Sequence, residues 1–196
     1  MCSEDLIAGI DEVGRGALFG VVVAAAVILP KSIIPECQDW GIKDSKKLSA
    51  RRREQLVPQI QQVAIAYRIG VATVAEIDEL NILQAALVAM QRAIEGLDVL
   101  PELCLVDGNR SIPKLELPQQ TLVKGEDRAM SIAAASILAK VWRDRAIAEL
   151  ATIYPQYDLT QNKGYGTAKH VAAIAKYGIT PEHRQSFSRC QHQGER

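Results

Sequence analysis

Residues 6–29 read LIAGIDEVGRGALFGVVVAAAVIL, and this stretch decides the fold class. Its first apolar segment, residues 6–10, predicts a short strand that delivers two adjacent carboxylates, Asp11 and Glu12, at its end. The longer Val, Ala and Ile run over residues 19–29 is typical of a strand buried on both faces of a sheet. Between the two lies Gly14-Arg15-Gly16, a glycine-bracketed arginine. Because acids collect divalent cations and bare backbone admits a ligand, the stretch indicates metal-assisted chemistry on a phosphate- or sugar-bearing substrate.

The rest of the chain alternates between extended and helical patterns. Further strands are predicted over residues 64–71, 103–106 and 120–123. Helices are predicted over residues 51–63, with Ser49 as the cap, and over residues 74–94, 128–154 and 167–176. Residues 33–48 are polar and loop-like, and the tail from residue 178 is irregular. This order predicts one domain over residues 1–196, built on a mixed α/β sheet covered by helices.

The net charge is zero over 196 residues, so bulk charge does not indicate a nucleic-acid-binding protein. The charges are unevenly placed, however. Residues 1–120 carry 12 basic and 16 acidic side chains, whereas residues 121–196 carry 11 basic and 7 acidic ones. An acidic part that can hold metals beside a basic part that can hold phosphates fits a polyanionic substrate, although a chance fluctuation of a few charges gives the same difference.

The four cysteines are scattered without a C-x-x-C pair, which indicates free thiols in a reducing compartment rather than a disulfide frame or a zinc site; they are Cys2, Cys37, Cys104 and Cys190. The N-terminus lacks the basic segment and apolar core of a secretory signal. The longest apolar stretch, residues 18–30, is too short to span a membrane. We therefore expect a cytoplasmic protein without a membrane segment.

Acidic side chains follow three predicted strands: Asp11 and Glu12, Asp107, and the pair Glu126 and Asp127. If those strands are neighbours, the acids converge at one edge of the sheet, as a magnesium or manganese site for phosphodiester chemistry requires. Adjacent residues on a regular strand point to opposite faces, so Asp11 and Glu12 share a site only if the strand ends or bulges there. Taken singly, each acid also fits a solvated strand exit, an Asp-Gly turn or a first helical turn.

The glycine-rich segments provide candidate substrate contacts. Gly14 and Gly16 leave backbone groups accessible, although a short G-x-G also fits a tight turn. Tyr165 lies between two glycines, where its ring could stack on a sugar or base and its hydroxyl could reach a phosphate or a 2′-hydroxyl; a half-exposed turn tyrosine is the alternative.

Basic and hydroxyl side chains supply candidate phosphate contacts, each of which also fits a solvated charge or a packing serine; they are Lys46, Lys47, Ser136, Lys140, Lys163 and Arg184. Ser136 and Lys140 are one helical turn apart and share a face. Among the remaining polar and aromatic side chains, we expect His183 to be a structural hydrogen-bonding group, His170 and His192 to lie on the surface, and Trp40 and Trp142 to pack.

Seven sequence words, in this order, resemble those of type 2 ribonuclease H, the ribonuclease HII family, and span nearly the whole chain. They are GIDEVGRG at residues 9–16, DSKKL at 44–48, VDG at 106–108, KG at 124–125, AAASILAKVWRD at 133–144, KGYGT at 163–167 and PEHRQSF at 181–187. The resemblance implies a ribonuclease H-like fold: a five-stranded mixed sheet flanked by helices, with a small helical C-terminal part over about residues 167–196.

The resemblance also implies an activity: a metal-dependent endonuclease that cuts the RNA strand of RNA–DNA hybrids and cuts 5′ of single ribonucleotides in duplex DNA. Asp11, Glu12 and Asp107 match family carboxylates that bind Mg²⁺ or Mn²⁺. The family places an Asp directly after the Lys-Gly pair, where this chain has Glu126; Asp127 is a possible substitute for it. Gly14-Arg15-Gly16 and Tyr165 match the segments that recognise the ribonucleotide. The implied partner is nucleic acid, and we expect a monomer.

Two other functions fit the residues without the resemblance. One is a different metal nuclease of the same fold acting on DNA, which would not need Gly14-Arg15-Gly16 or Tyr165. The other is a non-catalytic module that binds hybrids without cutting them, and it would be favoured if the acids failed to converge.

Overall fold

The computed structural model describes residues 6–42 and 45–191. A five-stranded mixed sheet in the order β3-β2-β1-β4-β5 forms its centre. The strands are β1 (Ile7–Val13), β2 (Val22–Ile28), β3 (Ala66–Ala72), β4 (Leu103–Asp107) and β5 (Gln119–Leu122). Strand β2 pairs antiparallel with β1 and β3, whereas β1, β4 and β5 run parallel to one another. The mixed α/β sheet expected from the sequence is therefore confirmed.

Helices cover both faces of the sheet. They are α1 (Ile34–Asp39), α2 (Ala50–Val63), α3 (Val74–Leu80), α4 (Ile82–Glu95), α5 (Met130–Ile153), α6 (Leu159–Asn162), α7 (Ala168–Tyr177) and α8 (Ser188–Gln191). Helix α4 packs on one face, and helices α2 and α5 pack on the other. No helix in the described ranges combines the length and the apolar character needed to cross a membrane.

Strand β2 lies at the centre of both cores, and all seven of its residues are buried. Val22, Ala24 and every second residue after them face α4, whereas Val23 and Ala25 face α2 and α5. Because successive side chains on a strand point to opposite faces, a strand with helices on both sides must be apolar throughout. The expectation of a strand buried on both faces is confirmed.

Small residues set the distance between the layers. A Cβ atom added at Gly70 in β3 would lie 2.0 Å from the carbonyl oxygen of Ala89 in α4. A Cβ atom at Gly9 in β1 would lie 2.3 Å from the backbone nitrogen of Ile132 in α5. Both helices therefore approach the sheet backbone more closely than any side chain would permit.

A third core joins the C-terminal helices to the segment between β1 and β2. Phe19 contacts the rings of Tyr157, His170 and His183, all of which are buried. The Thr180 N–H donates to His183 Nδ1, so the ring proton of His183 lies on Nε2, 3.2 Å from His170 Nε2. His170 Nδ1 in turn donates to the Tyr165 carbonyl oxygen at 3.0 Å. The two histidines are thus neutral links in a buried hydrogen-bonded chain.

Several predicted elements were wrong in their extent. Strand β1 continues to Val13 and so includes both acids, instead of ending at residue 10. The predicted helix over residues 74–94 is two helices, because Asn81 has a φ of +73° and its side chain caps α4. Residues 33–48, expected to be a loop, include α1 and a 3₁₀ turn at Ser45–Lys47, since Pro35 starts the helix and Cys37 is buried.

Other differences concern individual side chains. The strand predicted over residues 19–29 begins only at Val22, because Gly20 adopts a φ of +77°. His170, expected on the surface, is fully buried, whereas His183 is the expected hydrogen-bonding group. Trp40 packs against the core as expected, but Trp142 is 39% exposed.

The cysteines within the described part of the chain, Cys37, Cys104 and Cys190, are buried free thiols, as expected. The expectations made for Cys2, Asp44 and His192 lie outside the described residues.

Replacing Gly70 by Ala should lower the free energy of unfolding by about 3 kcal/mol, because the new methyl group would overlap the backbone of α4. Gly41→Ala is the matched control: nothing lies within 4 Å of its added Cβ, and only the φ of +75° is strained, at about 1 kcal/mol. Urea denaturation of both variants measures the difference, and equal losses would contradict the close approach of α4 to β3.

Burial and the neighbouring His170 lower the pKa of His183 from 6.5 to about 4. Between these values the unfolded chain binds a proton that the folded chain does not, so stability should fall as the pH drops from 6.5 toward 4. The full effect is about 3 kcal/mol. Urea denaturation across this range tests it, with His183→Gln as the comparison. The variant should show a shallower dependence on pH, and an unchanged slope would be evidence against the buried neutral ring.

Candidate active site

The acidic side chains meet where the parallel strands β1, β4 and β5 end side by side. Asp107 is the last residue of β4, and a 3₁₀ turn, Gly125–Asp127, follows β5. The Gly125 N–H donates to Asp107 Oδ1 at 2.7 Å and ties this turn to the end of β4. The strands that carry the acids are therefore neighbours, which is the condition for the acids to lie at one edge of the sheet.

Asp11 and Glu12 approach this edge from opposite faces of β1. Asp11 is buried on the side of α5, where the nearby Ser136 side chain opposes the rise in its pKa. Glu12 lies on the side of α4, at a cavity of about 260 Å³ whose wall includes Leu87 and Asp107. The strand does not end or bulge between the two acids: β1 is regular there, and each carboxylate lies close enough to Asp107 for repulsion to raise its pKa.

The site concentrates negative charge with little compensation. The pKa of Asp11 is well above its usual value because of burial and of repulsion from Glu12 and Asp107. Burial also raises the pKa of Glu12, and Asp107 adds to it, while the nearby Arg15 guanidinium opposes the shift from 3.0 Å. A divalent cation would offset this charge.

Glu126 and Asp127 differ in what they face. Glu126 Oε2 lies 3.2 Å from the hydroxyl of Ser136, whose side chain also opposes the rise in the pKa of Asp11. The Asp127 side chain is 47% exposed and pairs with Lys47 at 2.8 Å. The hydroxyl of Ser136 thus places Glu126, rather than Asp127, next to the buried acid.

The donor set fits a hard divalent cation, since four carboxylates lie on or beside the strand ends. Protein groups hold the acids apart, however. Asp11 Oδ1 accepts from the Glu12 N–H, Asp107 accepts from Gly125, and Glu126 is 3.6 Å from Lys46 Nζ. Within residues 6–42 and 45–191, no three His, Cys, Asp or Glu side chains are yet arranged to hold a metal. Holding a cation therefore requires side-chain rotation at this edge.

The loop that follows β1, residues 14–21, is called here the N-terminal loop. Gly14 is buried, has a φ of +95° and leaves room for the Arg143 side chain, whose Nε would be 2.3 Å from an added Cβ. Its expected accessibility to a ligand was therefore wrong. Arg15 and Gly16 are exposed, and no described residue donates to the Gly16 carbonyl. Gly16 therefore offers the open backbone of the Gly-Arg-Gly segment.

Tyr165 lies on a second loop, residues 162–166, called here the tyrosine loop. The two loops are joined by a β-bridge between Ala17 and Tyr165 and by the Leu18 N–H, which donates to the Gly164 carbonyl at 2.8 Å. The half-buried Tyr165 ring has the Arg143 guanidinium 5.6 Å from its centre. The structure therefore brings together the two segments expected to contact the substrate.

Arg184 does not lie where a phosphate contact needs it. It is fully buried, and its guanidinium donates to carbonyl oxygens of Arg15, Ala17, Gly20 and Val21. Since these carbonyls occupy its donors, the expected phosphate contact was wrong, and Arg184 supports the N-terminal loop from inside. Burial lowers its pKa, but the carbonyl oxygens around it favour the charged guanidinium.

The other candidate phosphate contacts are divided between the surface and the interior. Lys46 and Lys47 are exposed beside Glu126 and Asp127. Ser136 is buried, and Lys140 is mostly buried in an ion pair with Asp144 at 2.6 Å.

Lys163 is half-buried in a left-handed conformation, and its carbonyl accepts from Arg143. Sequence reasoning gave Arg143 no role. The signal was its position two helical turns after Ser136, on the same face of the predicted helix.

Comparison with known proteins agrees with this geometry. The model of the Ribonuclease HII family matches residues 8–193. Ribonuclease HII of Trichormus variabilis is 60% identical over 186 residues, which cover 95% of this chain and 83% of that protein. Ribonuclease HII of Acaryochloris marina is 58% identical over 189 residues, 96% of each chain.

Solved structures show the same fold. The ribonuclease H2 from Pyrococcus horikoshii OT3 aligns with a TM-score of 0.79 at 27% identity, over 94% of this chain and 95% of that one. Bst-RNase HIII in complex with Mn²⁺ aligns with a TM-score of 0.78 at 19% identity, over 96% of this chain and 69% of that one. The ribonuclease H-like sheet and helices are therefore confirmed. With a family model over nearly its whole length and relatives at these identities, the chain belongs to the ribonuclease HII family and is a ribonuclease H enzyme.

Proposed function

We propose that this protein cuts the RNA strand of RNA–DNA hybrids and cuts duplex DNA on the 5′ side of a single embedded ribonucleotide. The products carry a 3′-hydroxyl and a 5′-phosphate. One observation carries the proposal: the acids at the ends of β1, β4 and β5 lie beside two loops bridged through Ala17 and Tyr165. A site that hydrolyses phosphodiesters is thus adjacent to an exposed backbone and a tyrosine suited to recognising a ribose.

Four carboxylates, Asp11, Glu12, Asp107 and Glu126, would hold one or two Mg²⁺ or Mn²⁺ ions. When bound, such ions activate water for in-line attack and stabilise the leaving 3′-oxygen. The raised pKa values of Asp11 and Glu12 support this assignment, because burial and the neighbouring carboxylates disfavour the negative charges that a bound cation would stabilise. Ser136 holds Glu126 through its hydroxyl and lies beside Asp11.

The ribonucleotide is recognised by the Gly-Arg-Gly backbone and by Tyr165. A 2′-hydroxyl both donates and accepts hydrogen bonds, so the Gly16 carbonyl and the tyrosine hydroxyl are suitable partners. The tyrosine ring stacks on the deoxyribose that follows the ribonucleotide. This pairing favours a single ribonucleotide followed by DNA.

Exposed basic side chains hold the duplex by its phosphates, and Lys46 and Lys47 place such charges beside the acids. Binding should therefore weaken as salt increases. The biological role that fits this activity is the removal of misincorporated ribonucleotides and of RNA primers.

A labelled DNA duplex with one embedded ribonucleotide, incubated with Mg²⁺ or Mn²⁺, tests the proposal beside an all-DNA duplex and a long hybrid. We expect a single cut 5′ of the ribonucleotide, lost with EDTA and in folded Asp11→Asn, because a neutral amide is a poor ligand for a hard cation. Cutting of the all-DNA duplex would favour a DNA nuclease of the same fold. Binding of the hybrid without a cut by the unmutated protein would favour a non-catalytic module.

Glu126→Gln should lower kcat by at least about 100-fold, whereas Asp127→Asn should change it less than about threefold. The reason is that Glu126 faces Ser136 and the buried acid while Asp127 faces solvent and Lys47. Single-turnover cleavage at saturating enzyme measures both. A larger loss in Asp127→Asn than in Glu126→Gln would assign the fourth metal-binding carboxylate to Asp127.

Tyr165→Ala should weaken the preference for a lone ribonucleotide over a long hybrid by about tenfold while leaving metal dependence unchanged. Loss of base or sugar stacking is worth about 1–3 kcal/mol. Tyr165→Phe, which keeps the ring, separates stacking from the hydroxyl contact. An unchanged preference in the Ala variant would exclude a recognition role for this side chain.

A further inference from the structure

Arg143 is a fully buried arginine that the proposed chemistry leaves unused. It projects from α5 and contacts both the N-terminal loop and the tyrosine loop. Its guanidinium donates to the carbonyls of Phe19 and Val21 in the N-terminal loop, both at 3.0 Å, and to that of Lys163 in the tyrosine loop at 2.9 Å. Its stem fills the space that Gly14 leaves open.

The burial of Arg143 without a carboxylate hydrogen-bonded to its guanidinium is unusual, since an arginine is seldom buried in full. All three of its guanidinium nitrogens donate to backbone carbonyls. Burial lowers its pKa, so the charge is held at a cost in solvation. A planar guanidinium spreads its donors over three nitrogens and can hold carbonyls from two separate loops at once. An apolar side chain has no donors, and an ammonium has all three of its donors on one nitrogen.

Helix α5 links Arg143 to the acids. Ser136, which contacts Asp11 and Glu126, lies seven residues earlier on the same helix. Seven residues are about two turns, roughly 10 Å along the axis, so both side chains lie on similar faces of a rigid rod. The backbone of α5 is packed directly against Gly9 of β1, which prevents it from sliding.

We propose that Arg143 is a positioning residue that sets the distance between the carboxylates and the two loops, and so makes the enzyme select a lone ribonucleotide. The inference rests on the proposed function. On a long hybrid every nucleotide has a 2′-hydroxyl, so displaced loops still find one. At a single ribonucleotide only one placement aligns the 2′-hydroxyl with the scissile phosphate. Loss of positioning therefore affects the lone ribonucleotide most.

Arg184 supports the same loop but makes no hydrogen bond to a described residue of the tyrosine loop. Its donors go to Arg15, Ala17, Gly20 and Val21. The Val21 carbonyl, at the end of the N-terminal loop, accepts from both arginines. Arg143 is thus the side chain that holds the two loops together, whereas Arg184 holds one of them.

The test is Arg143→Lys, which keeps the charge but cannot reach three carbonyls at once. A displacement of about 1 Å costs about 100-fold in rate. We expect kcat on the single-ribonucleotide duplex to fall roughly 10- to 100-fold, with KM changed less because the phosphate contacts remain. On a long hybrid kcat should fall no more than about threefold. Arg145→Lys, two residues along α5 in an exposed ion pair with Glu54, should match the unmutated enzyme.

The outcomes separate the inference from the proposed function. A folded Arg143→Lys enzyme with equal losses on both substrates, or with none, would overturn the positioning role. Unmutated enzyme that cuts neither substrate would overturn the proposed function and this inference with it.

If circular dichroism shows that the Arg143→Lys variant is unfolded, amide hydrogen exchange on the unmutated protein tests the positioning role instead. The Leu18 and Tyr165 amides, one on each loop, should then exchange in a single opening event with protection factors within about threefold. Independent exchange would overturn the proposal.

Discussion

The close packing of α5 against β1 is the constraint on which the rest of the structure depends. Gly9 leaves no side chain between the strand and the helix, and the facing part of α5 is made of small residues such as Ala133 and Ala134. One rigid helix therefore presents Ser136 to the acids and Arg143 to the loops. A larger residue at Gly9 would move both together, since an added Cβ would lie 2.3 Å from the α5 backbone.

The buried arginines and the buried acids differ in how their charges are compensated. Buried arginines are satisfied by the protein itself, through backbone carbonyls of the N-terminal loop. The buried acids are less well balanced: burial raises the pKa of Asp11 and of Glu12, and repulsion from neighbouring carboxylates adds to both shifts, although Arg15 opposes the shift of Glu12. A region whose charges are internally satisfied is fixed in place, whereas one with excess negative charge is suited to receive a cation. This division fits rigid recognition loops beside a site completed by metal.

The local sequence pattern was sufficient to predict much of this architecture. Continuous apolar runs predicted β2 and the strand that leads to Asp107, because a strand with helices on both faces is apolar along its length. The acids lie at one edge of the sheet because β1, β4 and β5 are neighbours. The local sequence pattern alone could not show that these strands are adjacent. The family resemblance supplied the named fold and the departure at Glu126.

What sequence reasoning missed depends on contacts distant along the chain. Arg184 looked like a surface cation, because nothing local shows that it would meet the carbonyls of residues 15–21. His170 is buried only because His183 and Phe19 fold over it. The break at Asn81 interrupts an otherwise continuous apolar helical pattern, and its cause is a single left-handed residue.

The central claim is that the acids at the ends of β1, β4 and β5 hold a divalent cation. Crystals of the protein soaked in Mn²⁺ and measured at the manganese absorption edge test it most directly. The account predicts anomalous density among Asp11, Glu12, Asp107 and Glu126, with those side chains rotated toward it. Density beside Asp127 alone, or none at this edge of the sheet at saturating Mn²⁺, would contradict it.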